Sequence, residues 1–124
     1  MSIRKIQFTK DEYYHVFNRG VDKRNIFESK EDLYYFFNRL SDLNFDIQNK
    51  ELNIQRYRAS DKKVIDVDGI ALVSIIAYCL LPNHFHLVLK QESNDGISKF
   101  MQKLGTSYTM YFNQKYKRSG SLFQ

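Results

Sequence analysis

Apolar residues recur along the chain with two different periods, and the changes of period divide it into elements. Tyr13-Tyr14-His15-Val16-Phe17 is a run of β-formers that predicts a first strand, ended by the turn residues Asn18-Arg19-Gly20. Ser29 followed by Glu31 and Asp32 has the form of a capping-box start. From Leu33 the apolar residues Phe36, Phe37, Leu40, Leu43 and Ile47 keep helical spacing, so one face of this helix packs on a core. The longest apolar run, residues 70–81, is rich in β-branched side chains and predicts a buried strand, broken by Pro82-Asn83. Residues 84–90 resume as an alternating strand. Asn94-Asp95-Gly96 form a turn and helix cap, after which Ile97, Phe100, Met101, Leu104, Tyr108, Tyr111 and Phe112 share one helical stripe ending at Ser119-Gly120.

Residues 50–69 are charged and mixed, and read as an insertion whose short runs 53–57 and 63–67 form an exposed hairpin. The order is strand, helix, strand, strand, helix. It predicts an α+β domain spanning 1–124, with helices on one face of an antiparallel sheet and the other face uncovered.

Composition narrows the classes. A chain of 124 residues with ten Phe and nine Tyr suits a single domain with an ordinary core. No apolar run approaches the roughly 20 residues that span a bilayer, so no membrane role is expected. No secretion signal opens the sequence, and the single cysteine, Cys79, excludes an internal disulfide framework; both fit a reducing cytoplasm. Lying in the apolar run, Cys79 reads as a small core residue. The formal charge is +5. No acidic residue follows Asp95, whereas Lys99, Lys103, Lys115, Lys117 and Arg118 do, so the surplus lies in the C-terminal quarter. A one-signed basic end suits a polyanion partner and equally a solvated helix face.

The candidate chemistry is His84-Phe85-His86. Strand residues alternate between faces, so His84, His86 and Val88 share one side while Phe85, Leu87 and Leu89 form a core triplet on the other. The two histidine α-carbons then lie roughly 7 Å apart on the open face, close enough for both rings to reach one ion. A third ligand has to come from elsewhere: His15, the only other histidine, or an Asp, Glu or Gln. His15 reads as core or sheet-face support ahead of ligand. There are too few His and Cys for a closed zinc site, which favours an open, partly oxygen-ligated one.

Tyr78-Cys79-Leu80-Leu81-Pro82-Asn83-His84-Phe85-His86-Leu87-Val88-Leu89 resembles the signature strand of the single-tyrosine HUH transposases, nearest the REP-associated tyrosine transposases. Tyr14-His15-Val16-Phe17-Asn18-Arg19-Gly20 is similar to that family's opening strand and turn. Tyr108 through Asn113, and Ser119-Gly120-Ser121-Leu122-Phe123-Gln124, resemble the helix and exit that follow. The resemblance implies a ferredoxin-like (RRM-like) sheet with the HUH strand central, and a divalent ion, Mg²⁺ or Mn²⁺, held by His84 and His86. It also implies a tyrosine nucleophile that forms a 5′-phosphotyrosine link, with single-stranded or hairpin DNA as substrate and a homodimer as the working unit.

One departure follows from the same resemblance. The family's nucleophile lies on a helix well downstream of the second histidine, so it is expected beyond Gln124, with the catalytic helix missing from this chain. Tyr108 is the in-chain candidate, although it and Tyr111 lie on the apolar stripe and read as core. Candidate DNA contacts are Asn18, Arg19, Lys23, Arg24, Lys99, Lys103, Lys115, Lys117 and Arg118. The competing readings are a nucleic-acid-binding module without catalysis and an unrelated metal-dependent phosphoesterase.

Overall fold

A computed structural model describes residues 7–45 and 71–124. The expected hairpin at 53–57 and 63–67, and the whole 50–69 insertion, lie outside the described residues, as do Ile47 and Ile70.

The elements follow the predicted order. Strand β1 is Tyr13–Arg19 and a short 3₁₀ turn at Val21–Lys23 follows it; helix α1 is Lys30–Asp42, strand β2 is Val73–Leu81, strand β3 is His84–Gln91 and helix α2 is Gly96–Tyr116. The strands form one antiparallel sheet in the order β1-β3-β2. Pro82 and Asn83 make the tight link between β2 and β3, whose register begins with Leu81 opposite His84. β1 arrives from far away in sequence to flank the other side of β3. The histidine strand is therefore central.

Alternation along β3 decides which face goes inward. Phe85, Leu87 and Leu89 are buried while His84, His86, Val88 and Lys90 are only partly so. Burying each such Leu or Phe is worth about 1.5–3 kcal/mol, so the triplet outweighs any preference of the intervening residues. Both helices lie over the triplet's face. Phe36 of α1 meets Phe85 with ring centres 5.0 Å apart, and α2 adds Ile97, Phe100, Leu104, Tyr108 and Phe112 to the same core.

Helix α1 begins as its sequence suggests: the Ser29 side chain accepts from the Asp32 amide, and the Asp32 carboxylate accepts from the Glu28 amide. Helix α2 begins differently. Asp95 caps it in a left-handed conformation without a side-chain bond, and the Ile97 amide donates instead to the buried Gln91 side chain. A β-carbon on Gly96 would stand 2.0 Å from the Leu72 carbonyl oxygen, so only glycine permits this approach of α2 to the start of β2. The helix ends at Tyr116, ahead of the expected Ser119-Gly120, because Lys117 turns left-handed and its amide, like that of Arg118, donates to the Asn113 carbonyl. The tail then returns to the sheet. Leu122 is buried, Phe123 bridges to Gly20, and the Gln124 amide donates to the Arg19 carbonyl at 2.8 Å.

Cys79 corrects an expectation: it is exposed. Two features of β2 explain this. Among the described residues it is an edge strand, and a register shift between Ile75 and Ala77 sets Ala77 opposite Val88 and Cys79 opposite His86, on the open face. An apolar run at a sheet edge is not buried on both sides.

Candidate functional site

Cross-strand pairing assembles the open face around the two histidines. Phe17 of β1 and Cys79 of β2 stand on either side of His86; Arg19 and Leu81 stand on either side of His84. Directly opposed residues point to the same face, so these side chains surround the pair. The ring centres of His84 and His86 are 5.0 Å apart and their planes are nearly perpendicular, at 81°.

Each imidazole has a partner at Nδ1. His84 Nδ1 lies 2.7 Å from Asn83 Oδ1, and the Asn83 amide nitrogen faces the Lys23 carbonyl at 3.5 Å. His86 Nδ1 lies 2.8 Å from Nε2 of His15. His15 is exposed on the sheet face, its ring within 8° of parallel to that of His86. Phe17 stacks against both, 5.5 Å from His86 and 6.0 Å from His15, and is itself 59% exposed.

Burial, then the neighbouring His15 and His84, hold His86 below the usual histidine pKa. Its neutral form, the one with a lone pair to give a metal, is thereby favoured at pH 7. With Nδ1 engaged on both rings, Nε2 is the ligand atom left on each. Two imidazoles bound through Nε2 at about 2.1 Å from one ion have ring centres on the order of 5 Å apart, the spacing of this pair. The pair presents two imidazoles, with no third His, Cys, Asp or Glu converging with them on one point among the described residues.

The nine candidate DNA contacts are dispersed. Arg19 lies on the histidine face beside His84, its Nε donating to Gln124. Lys23 is exposed, and its carbonyl faces Asn83. Asn18 pairs with Phe85 and so points to the opposite side. Arg24 rests over the Phe112 ring. Lys99 and Lys103 lie on α2, and Lys103 donates to the Phe45 carbonyl. Lys115 is held at 2.7 Å by both Glu31 and Asp32. Arg118 folds back onto Asn113 and the Ser121 carbonyl, and Lys117 is exposed. Of the nine, Arg19 stands opposite His84, and the Lys23 backbone lies against Asn83, the neighbour of His84.

The described tyrosines mostly lie away from this face. Tyr108 is fully buried, donates to the Ile26 carbonyl at 2.5 Å, and is raised far above the usual tyrosine pKa by burial and then by nearby Asp32. Tyr111 and Tyr116 donate to Asp32. Tyr13 shares the face, two positions before His15.

The sequence placed Asn83 at a strand break, Phe17 in a strand and Asp32 at a helix start, and assigned none of them a part in these contacts. Asn83 carried a usable signal, a carboxamide next to a candidate ligand. Phe17 and Asp32 carried none, because their importance comes from partners remote in sequence.

The model of a family described as IS200-like transposases matches residues 49–124, which include β2, β3, α2 and the tail. No curated protein and no solved structure matches the chain.

Proposed function

Because the chain belongs to the IS200-like transposase family, we propose that it is the metal-binding scaffold of an enzyme that nicks and rejoins single-stranded or hairpin DNA. The observation that carries this reading is the His84–His86 pair, with ring centres 5.0 Å apart and each Nδ1 already bonded. A Mg²⁺ or Mn²⁺ ion held by Nε2 of both rings would polarise a phosphoryl oxygen and offset charge developing there.

The chain's own groups do the rest of the binding. Arg19 and Lys23 meet phosphates flanking the scissile one, and exposed Phe17 and Tyr13 offer surfaces for unpaired bases. The sheet order, with the tail lying outside β1, supports a ferredoxin-like architecture. As the resemblance implies, we assign the nucleophile to a tyrosine following Gln124; Tyr108, Tyr111 and Tyr116 are bonded on the helix side. That hydroxyl attacks phosphorus and releases a 3′-OH, and the 5′-phosphotyrosine stores the bond for rejoining. The resemblance adds a cytoplasmic homodimer to this proposal.

The test is nicking of a single-stranded DNA hairpin, with and without Mn²⁺, by the protein carrying the downstream tyrosine. Cleavage abolished by His84→Ala with His86→Ala is the expected result, and undiminished cleavage by that variant refutes the proposal. The positions of the described tyrosines also favour a second reading, in which residues 1–124 alone bind DNA without cleaving it. Salt-sensitive binding without a covalent adduct is its signature.

A further inference from the structure

A neutral imidazole carries one N–H and one lone pair, and which nitrogen holds the proton depends on what the ring touches. A ring that ligates through Nε2 must be protonated at Nδ1. For His84 the structure supplies this directly, because a carboxamide oxygen can only accept. Asn83 Oδ1, 2.7 Å away, selects the Nδ1–H form, and the Asn83 nitrogen facing the Lys23 carbonyl keeps the amide the right way round.

His86 has no carboxamide beside it. Its Nδ1 meets Nε2 of His15, a residue 71 positions away that lies outside the segment matched by the family. We propose that His15 is the positioning residue of His86, accepting from its Nδ1–H as Asn83 does for His84, so that both rings turn Nε2 toward one ion. His15 is then the Nδ1–H tautomer. Its Nε2 is spent on His86, which assigns it to orientation rather than ligation. Phe17 stacks on both rings and holds them near a common plane. The device spans two strands: register sets His15 opposite Val88, one step along the face from His86. Outer partners of this kind restrict both the tautomer and the angle of a metal-bound imidazole.

This inference rests on His84 and His86 being the ion's ligands, but the tautomers are readable without any ion. Long-range ¹H–¹⁵N NMR of the metal-free protein, above neutral pH, is expected to report Nδ1–H for both His84 and His86. In His15→Ala, His84 keeps that form while His86 moves toward Nε2–H. Mn²⁺ affinity, followed by electron paramagnetic resonance, falls about 10- to 100-fold in His15→Ala and returns to within about threefold of wild type in His15→Gln, whose carboxamide oxygen accepts. His86 found as Nε2–H in the wild type, or unchanged in His15→Ala, overturns the inference. So does a His15→Gln variant as weak as His15→Ala, which indicates a direct ligand. Expected tautomers with no Mn²⁺ binding refute instead the ligand assignment on which it rests.

Discussion

Asp32 offers a quantitative test of how the scaffold is held together. Its carboxylate is fully buried in the first turn of α1 and accepts from the Tyr111 hydroxyl and Lys115 at 2.7 Å, from the Tyr116 hydroxyl at 2.5 Å and from the Glu28 amide at 2.9 Å. Three of these donors belong to the last turns of α2, so one side chain fastens the two helices over the sheet. Burial alone pushes its pKa up, but Lys115, Tyr116, Tyr111 and the Glu28 amide outweigh it and hold the group at about 2, against 3.8 normally. At about 1.4 kcal/mol per pKa unit, that lowering corresponds to about 2.5 kcal/mol of stability. The sign follows from a folded pKa below the unfolded one. The contribution is complete above about pH 4 and is lost as pH falls through 2. Asp32→Asn removes the charge and turns a donor toward at least one of the existing donors, so a loss of about 3 kcal/mol is expected near neutral pH. Urea unfolding followed by circular dichroism at several pH values is the assay. The gap between wild type and variant should narrow between pH 4 and pH 2, where the wild-type carboxyl takes up its proton. A neutral-pH difference under about 1 kcal/mol, or a gap that does not change with acid, would refute the reasoning.

Other outcomes follow from single contacts. Gly96→Ala, whose β-carbon would collide with the Leu72 carbonyl, should cost about 1–3 kcal/mol, read as a lowered Tm. Phe17→Ala should leave Tm unchanged yet weaken binding of a single-stranded oligonucleotide by about 1–3 kcal/mol in fluorescence anisotropy, and equal affinity would remove Phe17 from the interface. Lys23→Ala should lower the slope of log K against log salt by about one phosphate's worth, whereas Lys115→Ala, with its charge already paired to Glu31 and Asp32, should leave that slope unchanged and reduce stability. Cys79 should react with iodoacetamide in the folded protein, and protection until unfolding would contradict its exposure.

The contrast between Lys115 and Lys23 shows where reading a sequence for function stops. The acid-free C-terminal quarter was a real feature of the chain, but part of that surplus is neutralised by carboxylates on α1. Charge counts carry no record of which opposite charge lies nearby in space. Cys79 shows the same limit for hydrophobicity. An apolar run looks alike whether it lies in the middle of a sheet or at its edge, and a one-residue register shift then turned it outward.

What the sequence determined by itself was local and periodic. Alternation through residues 84–90 sent Phe85, Leu87 and Leu89 inward and left both histidines outside, and the helical stripe from Ile97 to Phe112 marked the buried side of α2. These follow from the pleat and the helical turn, which depend only on neighbouring residues. Tertiary structure decided which strands flank β3. It thereby decided that His15 meets His86, that Phe17 stacks beside them and that Arg19 stands next to His84. Those contacts join residues about 70 positions apart, through hydrogen bonds whose partners no local periodicity specifies. The two histidines were legible as a pair on one face, with the Asn83 carboxamide next to them in sequence; the third imidazole, His15 beside His86, came from the fold.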